Sequence, residues 1–415
     1  MGELEDLGVD MGTVNKAAQD LLKRFPYSQR ALNLACWCAC VRRDRQTARD
    51  LFGWIGDIDN DFLWENQATF LRLRKWAMDS RHPAEEEKCI LASADKLSGV
   101  AFSPDGKTIA VCGDEELRQV TLWDAGTGEP IGTLSHPESV SWVEFSPDGN
   151  QLATAGGSEK TAQLFIWQIG GKEIVRKLEG PIGKLNCARF SPNRKWLAAG
   201  GDDDNVWIWQ LDESQAEPTH IDLKERIVGV DFSQKSDLLA LASEKKGAAL
   251  VMASKQIVGD ATAKNTRYSD IRLMNNELFV CGGPFHLSRH PLDESASRNF
   301  ELARPVASDS LIETMDLSPN GRLLAVGVNS ISYSYSDFPT PSQILIFSTG
   351  TNKEVTRFHA HNDRIAAVRF SPDGKRLASV GGDGTLRLWI TPNVPADHPH
   401  EGDQPPKSTK EASGN

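Results

Sequence analysis

The sequence predicts a mainly β protein: a seven-bladed β-propeller over residues 85–390, a small α-helical domain before it (1–84) and a disordered tail after it (391–415). Three observations predict this. One phrase, an apolar residue followed by Ser-Pro and a turn, recurs down the chain at a nearly constant interval. Each interval has room for four short strands of alternating or apolar character. The segment before the repeats instead carries apolar residues at helical spacing.

The repeats read AFSPDGKTIAV, EFSPDGNQLAT, RFSPNRKWLAA, DFSQKSDLLAL, DLSPNGRLLAV and RFSPDGKRLAS, anchored on Phe102, Phe145, Phe190, Phe232, Leu317 and Phe370. The double-length gap between Phe232 and Leu317 holds IRLMNNELFVC, with Leu273 as a worn anchor. The seven anchors are then spaced 43, 45, 42, 41, 44 and 53 residues apart. In each unit an alternating strand ends at a Ser-Pro-Asp-Gly turn, where proline presets φ and glycine accepts φ > 0. An apolar second strand follows, then a Gly/Asp turn, a third strand such as VTLWD, LFIWQ, VWIWQ, ILIFS or LRLWI, and a more polar fourth. Four strands per unit of about 40 to 45 residues are the signature of propeller blades. A single blade cannot bury both faces of its sheet, so neighbours must stack and the ring must close. The seventh unit runs out of strands at Ile390, and EEEKCILASAD (85–95) supplies a fourth strand near residues 87–92 to fasten it.

Over residues 85–390 the chain resembles the WD-repeat family. HNDRIAAVRFSPDGKRLASVGGDGTLRLW carries its histidine, its Ser-Pro-Asp-Gly turn and its Gly-Asp turn at the expected offsets, and Trp123-Asp124 supplies the Trp-Asp pair once. The resemblance implies a structural network in which the Trp389 indole, the Ser379 hydroxyl, His361 and Asp383 pass hydrogen bonds from the inner sheet to a tight turn. A serine, a histidine and an aspartate also suggest a hydrolase triad. A catalytic serine, however, needs an exposed hydroxyl and an oxyanion hole, whereas Ser379 lies mid-strand in LASV. Other units depart from the pattern. The second keeps His136, Thr154 and Trp167 but has Ser158 and Glu159 where the turn aspartate belongs; the third keeps Asp203 and Trp209 but has Ala199 in place of a hydroxyl. The fourth and fifth lack the tryptophan, and the sixth carries an insertion at 330–342.

Before the repeats, four stretches read as helices: Thr13–Phe25, Ser28–Arg43, Asp44–Gly56 and Asn60–Met78. Residues 28–56 resemble one tetratricopeptide-type helical hairpin, with Ala48 and Phe52 on the packing side. Cys36, Cys38 and Cys40 do not make a metal site there, because on a helix Cys38 points away from the other two. Arg42, Arg43, Arg45, Arg49, Arg72, Arg74 and Lys75 form a locally basic strip, read first as a solvated helix face, with an acidic partner or the acidic propeller of the same chain as alternatives.

The formal charge is −11, and residues 1–84 balance at 12 basic and 12 acidic, so the deficit belongs to the remainder. An acidic body repels phosphate backbones and anionic lipid, so neither nucleic acid nor membrane is an expected partner. Seven cysteines, an odd number, with no secretory signal at the start shown, fit reduced thiols in a cytoplasmic protein. No cofactor and no metal is expected.

The function expected is a non-catalytic interaction scaffold, not an enzyme, binding a protein or peptide on one propeller face. The resemblance implies the face lined by the loops leading into each first strand and those between second and third strands. On this sequence it falls near Glu138, Ser139, Ile182, Lys184, Asp202, Lys224, Arg226, Asp309, Asp363, Arg364 and Gly382. Two alternatives stand beside it. One is a regulatory sensor whose helical domain gates that face through an intramolecular contact. The other is a metal-dependent lactonase-like or hydrolase-like propeller enzyme, for which Asp202, Asp203 and Asp204 are the notable acid run.

Overall fold

A computed structural model describes residues 86–91, 96–113, 118–213, 217–254, 256–262, 267–283, 286–292, 298–299, 310–330, 342–361 and 363–393, with Asp20, Ala35, Cys36 and Leu51 before them. The expected helical domain, its tetratricopeptide-like hairpin, most of the insertion at 330–342 and most of the tail therefore lie outside the described residues.

The described residues form seven four-stranded antiparallel sheets. Blade one is Leu97–Phe102, Thr108–Gly113, Gln119–Asp124 and Pro130–Ser135; blade two is Val140–Phe145, Gln151–Gly157, Ala162–Gln168 and Glu173–Lys177. Blade three is Leu185–Phe190, Trp196–Gly201, Asn205–Gln210 and Thr219–Asp222; blade four is Ile227–Phe232, Leu238–Ser243, Lys246–Val251 and Gln256–Thr262. Blade five is Tyr268–Met274, Glu277–Gly282, His286–Pro291 and Arg298–Asn299; blade six is Ser310–Leu317, Leu323–Ser330, Ser342–Ser348 and Glu354–His361. Blade seven holds Ile365–Phe370, Arg376–Gly381 and Thr385–Ile390, and its fourth strand is Glu86–Leu91, antiparallel to Thr385–Ile390. First strands of neighbouring blades pack on one another around the whole ring, blade one against blade seven included.

Each blade contributes apolar residues from its second and third strands to a layer shared with the next. Ile109, Val111 and Trp123 of blade one pack with Ala378, Val380, Leu386 and Leu388 of blade seven. The fourth strands are more exposed, as in Pro130–Ser135 and Glu173–Lys177, because they lie outermost.

The Ser-Pro turns work as expected. Ser103, Ser146 and Ser371 donate to the aspartate two residues on, and accept the N–H of the residue that opens the second strand. Gly106, Gly149, Gly321 and Gly374 take φ near +70° in these turns. In blades three and four Arg194 and Ser236 occupy that left-handed position with φ of 61° each. Blade five differs, since its first two strands are joined by Asn275 and Asn276 alone, both at positive φ. That is the two-residue hairpin geometry, which asparagine tolerates, and it explains why the repeat phrase is unrecognisable in this unit.

One irregularity recurs in all seven blades. The first strand shifts register near its start, for example between Leu97 and Gly99, Val140 and Trp142, and Ile365 and Ala367. A bulge at one fixed place re-aims the neighbouring side chains. Here it lets Ser98, Ser141 and Asn186 bond the backbone carbonyls of Val140, Leu185 and Ile227 on the next blade at 3.0, 2.6 and 3.2 Å. Gly156, Gly201 and Gly282, at the same end of the second strands, are needed for close approach: a Cβ there would fall about 2 Å from the backbone carbonyls of Ser139, Lys184 and Arg267.

Candidate functional site: the channel and its mouth

The blade-seven network and the channel mouth occupy different parts of the molecule and do different things. His361 Nδ1 lies 2.9 Å from Asp383 Oδ1, and its Nε2 lies 2.7 Å from Ser379 Oγ, which accepts the Trp389 indole N–H at 2.9 Å. A carboxylate only accepts and an indole only donates, so the chain runs from Trp389 to Ser379, on to His361, and ends on Asp383. Thr385 donates to Asp383 at 2.7 Å, and Arg387 reaches both Thr385 and Asp383. Burial pushes the Asp383 carboxyl up, but the hydrogen bond and charge of His361, with the charge of Arg387, hold it well below the usual carboxylate range. Ser379 is 0% exposed and engaged on both sides. It presents no nucleophile to a substrate.

The other blades keep parts of this network. Trp167 donates to Thr154 at 3.0 Å, while the His136 ring packs on Phe165 and Trp167 and its Nε2 has no partner among the described residues. Burial lowers the pKa of His136 to about 4. In blade three, where Ala199 offers no hydroxyl, Trp209 donates to the Glu179 carbonyl at 3.1 Å. Asp203 instead accepts from the Trp207 indole at 2.8 Å and from the Ile182 N–H. Asp202 faces Arg226 and Asn186, so the acid run does not converge. Among the described residues no group of three His, Cys, Asp or Glu side chains is placed to hold a metal ion.

The residue just before each anchor is Ala101, Glu144, Arg189, Asp231, Arg272, Asp316 or Arg369, one per blade, and the six charged ones act on one another across blades. From blade two to blade seven the charges alternate. Arg189 pairs with Glu144 and approaches Asp231 at 3.6 Å; Arg272 pairs with Asp316 at 3.1 Å and with Asp270. The acids also stitch blades together, since Asp231 accepts the Leu273 N–H and Asp316 the Phe370 N–H. Burial raises the pKa of Glu144 and of Asp231 against the pull of the neighbouring arginines. Arg369 differs. Its Nη1 donates to the Val368 carbonyl at 2.6 Å, and its guanidinium lies 4.7 Å from the centre of the Trp142 ring. Burial, then the charges of Arg272 and Arg189, lower its pKa to about 10, which still leaves it charged at neutral pH.

Above this ring opens a cavity of about 740 Å³ to which all seven blades contribute. Its cations are Lys96, Lys184, Arg226, Arg267, Arg364 and Arg369; its acids are Glu244, Asp270, Glu313 and Asp363. Of the residues expected on the binding face, Lys184, Arg226, Asp363, Arg364 and Gly382 line it. Ile182, 72% exposed, and Glu138, Ser139, Asp202 and Lys224 are not in its lining, and Asp309 lies outside the described residues. Ser139 is buried and donates to the Gly157 carbonyl. Lys96, Trp142, Arg267 and Arg369 line the mouth without having been expected there. For Arg369 the signal sits in the repeat phrase itself: the letter before each anchor reads E, R, D, R, D, R in blades two to seven.

Seven four-stranded sheets in a closed ring, with a polar mouth, define a seven-bladed propeller. Residues 87–124, 128–165, 172–210 and 352–389 match the model of the family described as WD domain, G-beta repeat. Blades four and five, which lack the tryptophan, fall between matched stretches. The chain is 25% identical to the serine-threonine kinase receptor-associated protein of Gallus gallus over 68% of this chain and 75% of that protein. It is 23% identical to periodic tryptophan protein 2 of Arabidopsis thaliana over 57% of this chain and 25% of the relative. It is 22% identical to WD repeat-containing protein 1 of Rattus norvegicus over 56% of this chain and 39% of the relative. The chain thus spans a quarter of one relative and three quarters of another. The four matched repeats and the seven-bladed ring support a WD-repeat family, and with it a scaffold or interaction function over a propeller enzyme. The tetratricopeptide-like hairpin gains no such support, since the matched stretches begin at residue 87.

Proposed function

We propose that this chain is a non-catalytic interaction platform whose partner, a protein or peptide, docks on the propeller face around the channel mouth. The observation that carries this reading is the mouth itself, a polar cavity to which every blade contributes a loop or strand end. A rigid ring offers many weak contacts at once without an ordering cost at binding. Lys184, Arg226, Asp363, Arg364 and Gly382 form the centre of the docking face in this reading, with Glu138, Ser139, Ile182, Asp202, Lys224 and Asp309 toward its rim. Residues 1–84 enter it as a separate helical domain, on the strength of their hydrophobic spacing.

Nucleic acid and membrane surfaces stand outside the proposal because the chain carries a formal charge of −11. Among the described residues no helix is long and apolar enough to cross a membrane. A cytoplasmic location is supported by the four described cysteines, which are buried and form no disulfide. Burial pushes the Cys112 and Cys187 thiols up to about 12, the behaviour of inert packing residues.

Affinity capture with the full chain, compared with Arg226→Glu and Arg364→Glu, tests the face. Both arginines are more than half-exposed or nearly so, at 50% and 64% of their side chains, so reversal spares the core. Loss of a shared set of captured proteins in both variants is the expected result. An unchanged set refutes this face.

A further inference from the structure

The exposed large apolar side chains among the described residues are not scattered. Ile182 stands at the mouth end of the blades. Ile131, Ile174, Val175, Ile257, Val355 and Ile390 all lie at the opposite end, where third strands finish and fourth strands begin. All of these but Ile257 fall on four neighbouring blades, six, seven, one and two. Singly exposed apolar residues are ordinary; a row of them along one rim marks a contact surface.

Three members of the row come from one device. The fourth strand of blade one skips a residue between its pairs to Trp123 and Leu122, that of blade two between Trp167 and Ile166, and that of blade six between Phe347 and Ile346. The residues skipped are Ile131, Val175 and Val355, which are 48%, 47% and 40% exposed. A bulge turns a side chain out of the ladder and bars a further strand from pairing there, so each leaves an apolar knob instead of a free edge. The fourth strands of blades three and five have no such shift, and that of blade four falls further along, at Gly259.

Blade seven has the same bulge in the same place, between the pairs to Trp389 and Leu388, and there the residue skipped is Glu87. Glu86 opens that strand, so the chain before it joins the ring inside the apolar arc, next to Ile390, which is 43% exposed. It joins at the end away from the mouth, since Leu91 and not Glu86 pairs with Thr385. A strand of six residues puts about 20 Å between those ends. Upstream, Asn60–Met78 reads as a helix, and the seven residues 79–85 tether it to Glu86 over at most about 25 Å. Wound as a helix, that stretch carries two apolar stripes, with Phe62, Phe70 and Leu73 on one and Trp64, Leu71 and Met78 on the other. One stripe serves to pack on the helices before it; a second needs another surface.

We propose that Asn60–Met78 lays one of these stripes along the outer rim, over Val355, Ile390 and Ile131 of blades six, seven and one. This rests on the reading of residues 1–84 as helical, and it sets that domain opposite the mouth. The domain then does not gate the docking face, which stays open to its partner.

The test replaces Ile131, Val355 and Ile390, one at a time in the full chain, with the photo-crosslinking residue p-benzoylphenylalanine. Ile257, 52% exposed at the same end of blade four, is the control. An equal mixture of light and heavy-isotope chains is irradiated, and the joined peptides are read by mass spectrometry. The expected result joins the three positions to peptides of 60–78 within one chain, and Ile257 to none. Three results overturn the proposal: no cross-link from these positions to 60–78, cross-links only between chains, which make a second copy the occupant, or an equal yield from Ile257. Hydrogen exchange separates this proposal from the reading beneath it. The amides of 60–78 are expected to be protected in the parent, and Ile131→Asp combined with Val355→Asp should speed their exchange about tenfold or more. Fast exchange in parent and variant alike means that 60–78 forms no ordered helix, and the helical reading falls with the proposal. Slow exchange in both keeps the helix but takes it off this rim, and the proposal alone is overturned.

Discussion

Blades two and seven bury the same trio of histidine, hydroxyl and tryptophan, yet only blade seven has an aspartate at the turn. In blade seven both ring nitrogens of His361 are engaged, and the network ends on a charge that Arg387 also holds. In blade two the turn is made by Ser158 and Thr161, whose hydroxyls bond each other at 2.7 Å, and Glu159 is exposed. His136 is left as an aromatic filler whose Nε2 has no partner among the described residues. The difference teaches that the trio does not need the acid to pack. It needs the acid to be worth more than an apolar residue of the same shape.

The largest expected effect follows from removing the acid. Asp383→Ala removes the acceptor of His361 and Thr385 and a carboxylate that Arg387 reaches, where the His361 and Arg387 side chains are 0% and 2% exposed. A loss of about 3 to 5 kcal/mol is expected, read from the urea midpoint. Next comes the paired substitution of the two histidines at pH 7. His361→Phe removes the acceptor of the Ser379 hydroxyl and one donor to Asp383 and should cost about 3 kcal/mol. His136→Phe removes an orphan nitrogen while keeping the ring packing on Phe165 and Trp167, and should cost less than about 1 kcal/mol. Equal costs would erase the distinction between the blades.

The pH dependence should sharpen the same comparison. His136 is held neutral by burial, with its pKa lowered from 6.5 to about 4. Between those values the unfolded chain binds a proton that the folded chain does not. Stability is therefore fully present above pH 6.5 and falls as pH drops toward 4, by up to about 3 kcal/mol from this group. Urea titrations of the parent and His136→Phe should diverge over that window, with the variant the flatter of the two. Asp383, also depressed, adds stability that is lost only in stronger acid, as pH falls below the ordinary carboxylate range. The smallest effect is Thr154→Val, which removes one neutral hydrogen bond from Trp167 and should cost about 1 kcal/mol. Blade one already tolerates this state: Val111 occupies the equivalent place, and the Trp123 indole has no partner among the described residues.

Much of the fold was legible because propeller blades are local. Phe102, Phe145, Phe190, Phe232, Leu317 and Phe370 each end a first strand, and so each is announced by the turn beside it. Leu273 was harder to see, because an Asn-Asn hairpin replaces the Ser-Pro turn and no local chemistry repeats. The site was less legible. Lys184, Arg226 and Arg364 were expected on the face, and Lys96 and Arg267 stand at the same offset, directly before a first strand and six residues before the anchors Phe102 and Leu273, so the signal for them was in the repeat as well. Trp142 reads as one more apolar residue of an alternating strand until Arg189 and Arg369 are found on its ring, at 5.2 and 4.7 Å.

By itself the sequence determined the period of the blades and the turns that end each first strand, while the partners of the His361 network followed from the resemblance to the WD-repeat family. These depend on neighbours in the chain and on hydrogen bonds whose offsets repeat. Ring closure was expected from the spare strand at 85–95; only the tertiary structure decided which side chains converge in the channel, and which of its charges meet across blades. Whether a buried charge has a counter-charge depends on distance in space. The closing of the ring sets that distance, and no single repeat contains it.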